Sequence, residues 1–225
     1  MPGGRLNAEA RYPLVVFDWD GTLMDSAAGI VESIQEAARD LGLPVPSADA
    51  ARHVIGLGLH ASLSSAVPEL PAQRYPEFAE AYRRHFRARQ DAMRPFAGVP
   101  EMLEALGAAG CVLAIATGKS RRGLDYALRA TGLGRHFRHS RCADETQPKP
   151  HPAMLLELMR ESGASPAQTV MVGDTSHDLG MARDAAVDAV AVTYGAHPGA
   201  ALRALGPRAC VGSVTELRQW LTADA

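Results

Sequence analysis

Val15-Val16-Phe17-Asp18-Trp19-Asp20-Gly21-Thr22-Leu23 is an apolar run that breaks at once into two aspartates one residue apart, a turn glycine and a threonine. The run reads as a buried strand over 14–17, and Gly21 lets the chain swing sharply away from it. Residues two apart in an extended segment project to the same side, so Asp18 and Asp20 face one small volume beyond the strand end. Carboxylates held that close repel each other, and a fold keeps them there only with a compensating cation or proton.

Similar short runs rich in valine and isoleucine recur at 111–116, 169–172 and 189–193, with a weaker one at 209–211. Between the later runs lie helix-like stretches at 123–131, 152–162 and 179–186. This alternation predicts a parallel sheet covered on both faces by helices. Such sheets hold ligands outside the carboxyl ends of their strands. The polar punctuation falls there: Asp18 after the first run, Thr117-Gly118-Lys119 after the second, Gly173-Asp174 after the third. From about Ser26 to Arg94 the alternation stops. Helices are expected at 27–41, 48–53, 59–66 and 71–93, punctuated by Pro44, Pro46, Pro68 and Pro71, and the return passes through Pro95 and Gly98. The expected organisation is a sheet domain from 12–25 and 95–225, with a helical cap at 26–94 inserted after the first strand.

With 225 residues, 47% hydrophobic and 21% charged, the chain suits a soluble protein of one domain plus an insertion, or two small domains. The 23 basic and 25 acidic residues leave a net charge of −2, which gives no footing for nucleic-acid or membrane-surface binding by bulk electrostatics. Cys111, Cys142 and Cys210 lie far apart without metal-ligand spacing, and buried free thiols in a reducing, cytoplasmic setting are expected. The first dozen residues lack the apolar core of a signal peptide and read as a loose tail. Monomer and homodimer suit this composition equally.

Four segments carry chemistry. Asp18, Asp20 and Thr22 form the first. Thr117-Gly118-Lys119-Ser120 ends a strand and opens a helix, where hydroxyl and N–H groups make a phosphate seat. Lys149-Pro150 enters a third helix, and Gly173-Asp174-Thr175-Ser176-His177-Asp178 brings two further carboxylates near a helix start. These types fit phosphoryl transfer through an aspartyl phosphate. A carboxylate approaching a phosphate dianion meets about 4 kcal/mol of repulsion per unit-charge pair at ~4 Å and an effective dielectric near ~20. Mg2+ held by Asp18, Asp174 and a phosphate oxygen supplies two positive charges, and Lys149 a third. Asp20 then carries a proton to the leaving alcohol and later activates water.

The set Asp18-x-Asp20-Gly21-Thr22, Thr117-Gly118, Lys149-Pro150 and Gly173-Asp174-Thr175-x-x-Asp178, in that order, resembles the haloacid dehalogenase-like superfamily of phosphohydrolases over about 14–195. The resemblance implies a Rossmann-like α/β core with an inserted helical cap. It implies Asp18 as nucleophile and metal ligand, and Asp20 as general acid/base that lends its backbone carbonyl to the metal. Thr22, Thr117, Gly118 and Lys149 would hold phosphate. Asp174 would ligate the metal, and Asp178 would support it through water or orient Lys149. Asp25-Ser26, the cap position and Arg94-Pro95-Phe96-Ala97-Gly98-Val99 look most like the phosphoglycolate phosphatase group. The superfamily's dehalogenases lack an aspartate at the Asp20 position, which favours phosphate chemistry here.

The family uses its cap to select substrates, so Arg52, Leu57 and His60 are the cap positions to examine, with Lys119 at the cleft mouth. His177 reads as an exposed loop histidine, and Arg83 to Arg89 as a solvated helix face with Phe86 turned inward. The expected partner is a small phosphate ester, phosphoglycolate first, with sugar phosphates and nucleoside monophosphates open. A phosphomutase of the same superfamily and a non-enzymatic phosphate-sensing module are the competing readings.

Overall fold

The structure is a computed structural model that describes residues 10–223. Its chain runs β1 (Leu14–Phe17), β2 (Met24–Asp25), α1 (Ala27–Asp40), α2 (Ala48–His53), α3 (Leu59–Ala66), α4 (Tyr75–Gln90) and β3 (Arg94–Pro95). It continues with α5 (Val99–Ala108), β4 (Val112–Thr117), α6 (Arg121–Thr131), β5 (His139–Cys142) and α7 (Ala153–Ser162). The last third holds β6 (Thr169–Gly173), α8 (Ser176–Asp184), β7 (Asp188–Val192), α9 (Gly199–Ala204), β8 (Ala209–Val211) and α10 (Val214–Thr222).

Six strands form one parallel sheet in the order β5-β4-β1-β6-β7-β8. In β1 the side-chain period of two splits the apolar run between the faces. Val15 and Phe17 join the cluster containing Leu103, Leu106 and Leu217 of α5 and α10, while Leu14 and Val16 join Met154, Leu158 and Met181 of α7 and α8. An α/β core with helices on both faces follows directly from that sorting. The strand order turns at β1, and such a switch point opens a crevice beyond the carboxyl ends. Phe17 pairs with Ile115 of β4 and Val172 of β6, so β6 runs one residue and β4 two residues past the end of β1. Asp18 N extends the ladder by donating to Val172 O at 2.9 Å.

Helices α1 to α4 pack around a hydrophobic cluster of their own that includes Ile34, Ala37, Leu63 and Phe78. The chain leaves the sheet and returns through an antiparallel ribbon in which Met24 faces Pro95 and Asp25 faces Arg94. No periodicity announces strands of two residues, and the ribbon has no counterpart in the sequence reading.

Three further differences have physical causes. β5 is a polar edge strand, His-Ser-Arg-Cys, with only Cys142 buried, so it lacks the apolar run that marks the other strands. Helix α5 buries Val99, Met102, Leu103 and Leu106 directly beside the linker glycine, and neither it nor the short α9 and α10 is among the helices expected from the sequence. Residues 1–9 of the expected loose tail lie outside the described residues, whereas Tyr12 is buried, donates its hydroxyl to Asp188 Oδ2 at 2.8 Å and stacks on Trp220 at 5.7 Å. All three cysteines are free; Cys142 is buried, whereas Cys111 and Cys210 are half-buried. No helix among the described residues is long and apolar enough to cross a membrane.

Candidate active site

Asp18 leaves β1 fully buried, and Gly21 turns the chain beside it in a left-handed conformation with φ +80°. A Cβ at Gly21 would lie 2.2 Å from Asp174 Oδ2, so both conformation and space demand glycine. Lys149 is buried between two carboxylates: its Nζ lies 2.8 Å from Asp18 Oδ1 and 2.6 Å from Asp178 Oδ1. Trp19 N also donates to Asp18 Oδ1 at 2.6 Å. Asp18 Oδ2, by contrast, is buried with no hydrogen-bond partner among the described residues.

Asp174 follows β6 and accepts from Thr22 Oγ1 at 2.7 Å through one oxygen and from Ala196 N at 2.7 Å through the other. Asp178 sits one helical turn on, where its Oδ2 accepts from Thr175 N at 3.0 Å and Thr175 Oγ1 at 2.6 Å. The residue thus closes a capping box on α8 while its other oxygen faces Lys149. Capping and service to the site coexist in one side chain.

Asp18, Asp174 and Asp178 each offer an oxygen within 4.8 Å of the others, all buried. Burial drives the Asp18 carboxyl well above the ordinary range; Lys149 opposes this, and Asp178 and Asp174 add to it. Asp174 is pushed up to about 7 by burial, with Asp178 adding to the effect. Burial alone would depress the Lys149 ammonium, but Asp178 and Asp18 together outweigh it and hold its pKa raised. Three carboxylates against one ammonium leave negative charge in excess, and an unpartnered oxygen points into it. Hard oxygen donors in that number fit a small divalent cation.

Asp20 has a different setting. Its Oδ1 accepts from Ser26 Oγ at 2.7 Å, and Lys119 Nζ reaches both oxygens at 2.9 and 2.8 Å. Lys119 in turn lies 4.8 Å from the centre of the Phe86 ring on α4. Burial, with the Asp20 carboxylate adding, raises the Tyr82 phenol nearby. At the end of β4 Thr117 is buried and its Oγ1 accepts from Lys119 N at 3.2 Å. Gly118 follows, and a Cβ there would lie 2.5 Å from the carbonyl oxygens of both Gly56 and Leu57. The loop between α2 and α3 therefore rests directly on the core loops.

Thus Asp18, Thr22, Lys149, Asp174 and Asp178 come together through contacts, Asp20 and Lys119 form an adjoining pair, and Thr117 and Gly118 flank them. Of the cap positions, Leu57 and His60 line the cleft between helices and core, His60 stacking on Tyr75 at 4.2 Å. Arg52 does not: it pairs with Asp49 at 3.8 Å on α2, half exposed and away from the cleft. His177 is also placed differently from the expectation. It is half-buried, and its Nε2 lies 2.8 Å from His53 O, with His197 Nε2 on the same oxygen at 3.1 Å. Ser26, Tyr82, Phe86 and His197 escaped the sequence reading as site neighbours, because nothing in their local spacing ties them to Asp20 or Asp174.

A family model described as haloacid dehalogenase-like hydrolase matches residues 15–192. The chain belongs to the haloacid dehalogenase-like hydrolases. It is 39% identical over 211 residues to a probable phosphatase, IndB, of Dickeya dadantii (strain 3937), covering 91% of each chain. With a phosphoglycolate phosphatase of Agrobacterium fabrum it shares 34% over 189 residues, 81% of each. A crystal structure of a predicted phosphoglycolate phosphatase from Haemophilus somnus 129pt superposes with a TM-score of 0.82 at 26% identity, covering 93% of this chain and 98% of the other. Within this hydrolase family the chain is a phosphatase of phosphate monoesters.

Proposed function

We propose that this hydrolase is a magnesium-dependent phosphatase that cleaves a small phosphorylated metabolite through an aspartyl phosphate on Asp18, with phosphoglycolate, sugar phosphates and nucleoside monophosphates as the compounds to compare. One observation carries the reading: a buried lysine ion-paired to Asp18 and Asp178, with Asp174 alongside and one Asp18 oxygen without a hydrogen-bond partner among the described residues.

In this scheme Asp18 attacks phosphorus and the bond to the leaving oxygen breaks. Asp20, on the cleft side, gives its proton to that oxygen, then takes a proton from the water that hydrolyses the phosphoaspartate. Lys149 offsets charge on Asp18 and the phosphate, while Asp178 holds the ammonium in place. Thr22, Thr117 and the N–H groups at Gly118 cradle phosphate oxygens. Mg2+, bound by Asp18, Asp174 and the Asp20 carbonyl, would offset the remaining negative charge and orient the phosphate. The helical unit 26–94 serves as a cap whose loop at Gly56 and Leu57 closes over the site and excludes water.

Asp18→Asn tests the scheme, because it preserves shape and removes the nucleophile. Phosphate release from a metabolite panel with Mg2+ should fall by roughly 10⁴-fold or more with the melting temperature at least maintained. Turnover at the wild-type rate in that variant would end the proposal.

A further inference from the structure

The space next to Asp20 says what kind of alcohol leaves. If Asp20 protonates the leaving oxygen, as proposed above, then the cleft that opens from Asp20 receives the rest of the substrate, and this inference rests on that reading. The cleft measures about 1040 Å³. The cap loop already touches Gly118, so this is the room left with the cap seated and not a gap made by a raised lid. A volume of that size belongs to pockets that enclose ligands of drug-like dimensions, of roughly 300–1,000 Å³. Glycolate, a two-carbon acid, would leave most of it empty.

The lining adds chemistry to size. Ile34, Leu57 and Leu63 line one side, and the rings of Phe86 on α4 and Tyr126 on α6 line it from the helical unit and the core. Cations are also present: Arg83 and Arg87 share the single carboxylate of Glu80, at 3.5 and 3.6 Å. Arg122 lines the cleft, is exposed, and has no ion-pair or hydrogen-bond partner among the described residues. Lys119 is occupied by Asp20, while Asp144, whose Oδ1 accepts from Arg121 N at 2.9 Å, keeps its charge, so the guanidinium groups of Arg83, Arg87 and Arg122 face the carboxylates of Glu80 and Asp144. The cleft therefore combines an apolar, ring-lined body with guanidinium groups that lack full compensation.

We propose that the preferred substrate is a phosphate monoester whose leaving alcohol carries a bulky, flat apolar body and a second negative charge at its far end, recognised by Phe86, Tyr126 and Arg122, and that two-carbon acids are poor substrates. Primary alkyl esters of similar intrinsic reactivity give a clean test: ethyl phosphate, phosphoglycolate, 2-phenylethyl phosphate and its para-carboxylate, each assayed with Mg2+ for phosphate release. The ring should raise kcat/KM over ethyl phosphate by about tenfold or more, and the carboxylate by roughly fivefold again. Phe86→Ser should erase the gain from the ring. Arg122→Ala, a change at an exposed position, should erase only the gain from the carboxylate, through KM. Phosphoglycolate turned over as efficiently as the carboxylated phenyl ester would overturn the inference while leaving the phosphatase reading intact. Release from none of the four, with wild type and Asp18→Asn alike, would remove both.

Discussion

Lys149 is the residue on which the site's electrostatics turn. Its ammonium is buried between Asp18 and Asp178, so replacing it with methionine would leave two buried carboxylates without their cation. Removing one partner of a buried ion pair costs about 3–5 kcal/mol, which for a chain of this size lowers the melting temperature by roughly 10 °C. Lys149→Met should show that loss in thermal denaturation, most strongly above neutral pH where the carboxylates would otherwise ionise, and least in acid where protons replace the lysine. A variant with an unchanged melting temperature at pH 8 would mean that the pairing carries no stability. Thr175 and Asp178 make the complementary point: one carboxylate caps a helix with one oxygen and anchors the lysine with the other, so no substitution there separates the start of α8 from the setting of Lys149.

At the scale of elements, the helical unit is tied to the core by close backbone approach and by imidazoles. Gly118 lies under the carbonyls of Gly56 and Leu57. Gly118→Ala should push the α2–α3 loop off the site and lower kcat by about 10²-fold, with a melting temperature close to wild type because the sheet beneath is untouched. Equal kcat in the two proteins would show that the loop need not seat. At the same junction His177 and His197 both bond His53 O, and the His53 and His197 rings stack at 5.0 Å. Burial lowers His197 to about 4 from 6.5, so the fold holds a neutral ring that the unfolded chain protonates. Stability from this residue is present above pH 6.5 and is lost as pH falls from there toward about 4. Melting curves across that window should flatten in His197→Asn. Ion pairs also dress α4: Arg84 and His85 reach Asp40, and Arg89 reaches Glu32 and Glu36, all on α1. The basic run is therefore partly an interhelical seam, with Arg83, Phe86 and Arg87 left to the cleft.

For the whole molecule, the negative charge gathered beyond the carboxyl ends of the central strands β1 and β6 couples stability to pH and, with a cation bound, to metal. The Asp174 carboxyl is raised from 3.8 to about 7, so its contribution to the metal-free protein is complete below 3.8 and is lost as pH rises through about 7. A cation needs the ionised form, so a divalent metal held there, as proposed above, would compete with protons at this carboxylate. The rise in melting temperature on adding Mg2+ should accordingly be larger at pH 8 than at pH 5, as differential scanning at the two values would reveal. An increment independent of pH would separate the metal from this carboxylate. Family membership alone makes no such statement; it comes from three buried acids facing one ammonium.

Sequence by itself determined the α/β class, five of the six sheet strands and the residues that form the acidic centre, because these depend on local signals: apolar runs, turn glycines, and polar residues directly after strand ends. Asp18, Gly21, Thr117 and Asp174 are legible for that reason, and Lys149 through its place before Pro150 at a helix entry. Tertiary structure alone decided what each of them touches. That Lys119 takes Asp20 and not open solvent, that Ser26 shares that carboxylate, that Arg52 turns to Asp49 while His177 turns to His53, and that β5 exists as a polar edge, all depend on segments brought together from far along the chain. Contacts of that kind follow from packing between elements, and no short-range pattern of residue types encodes them.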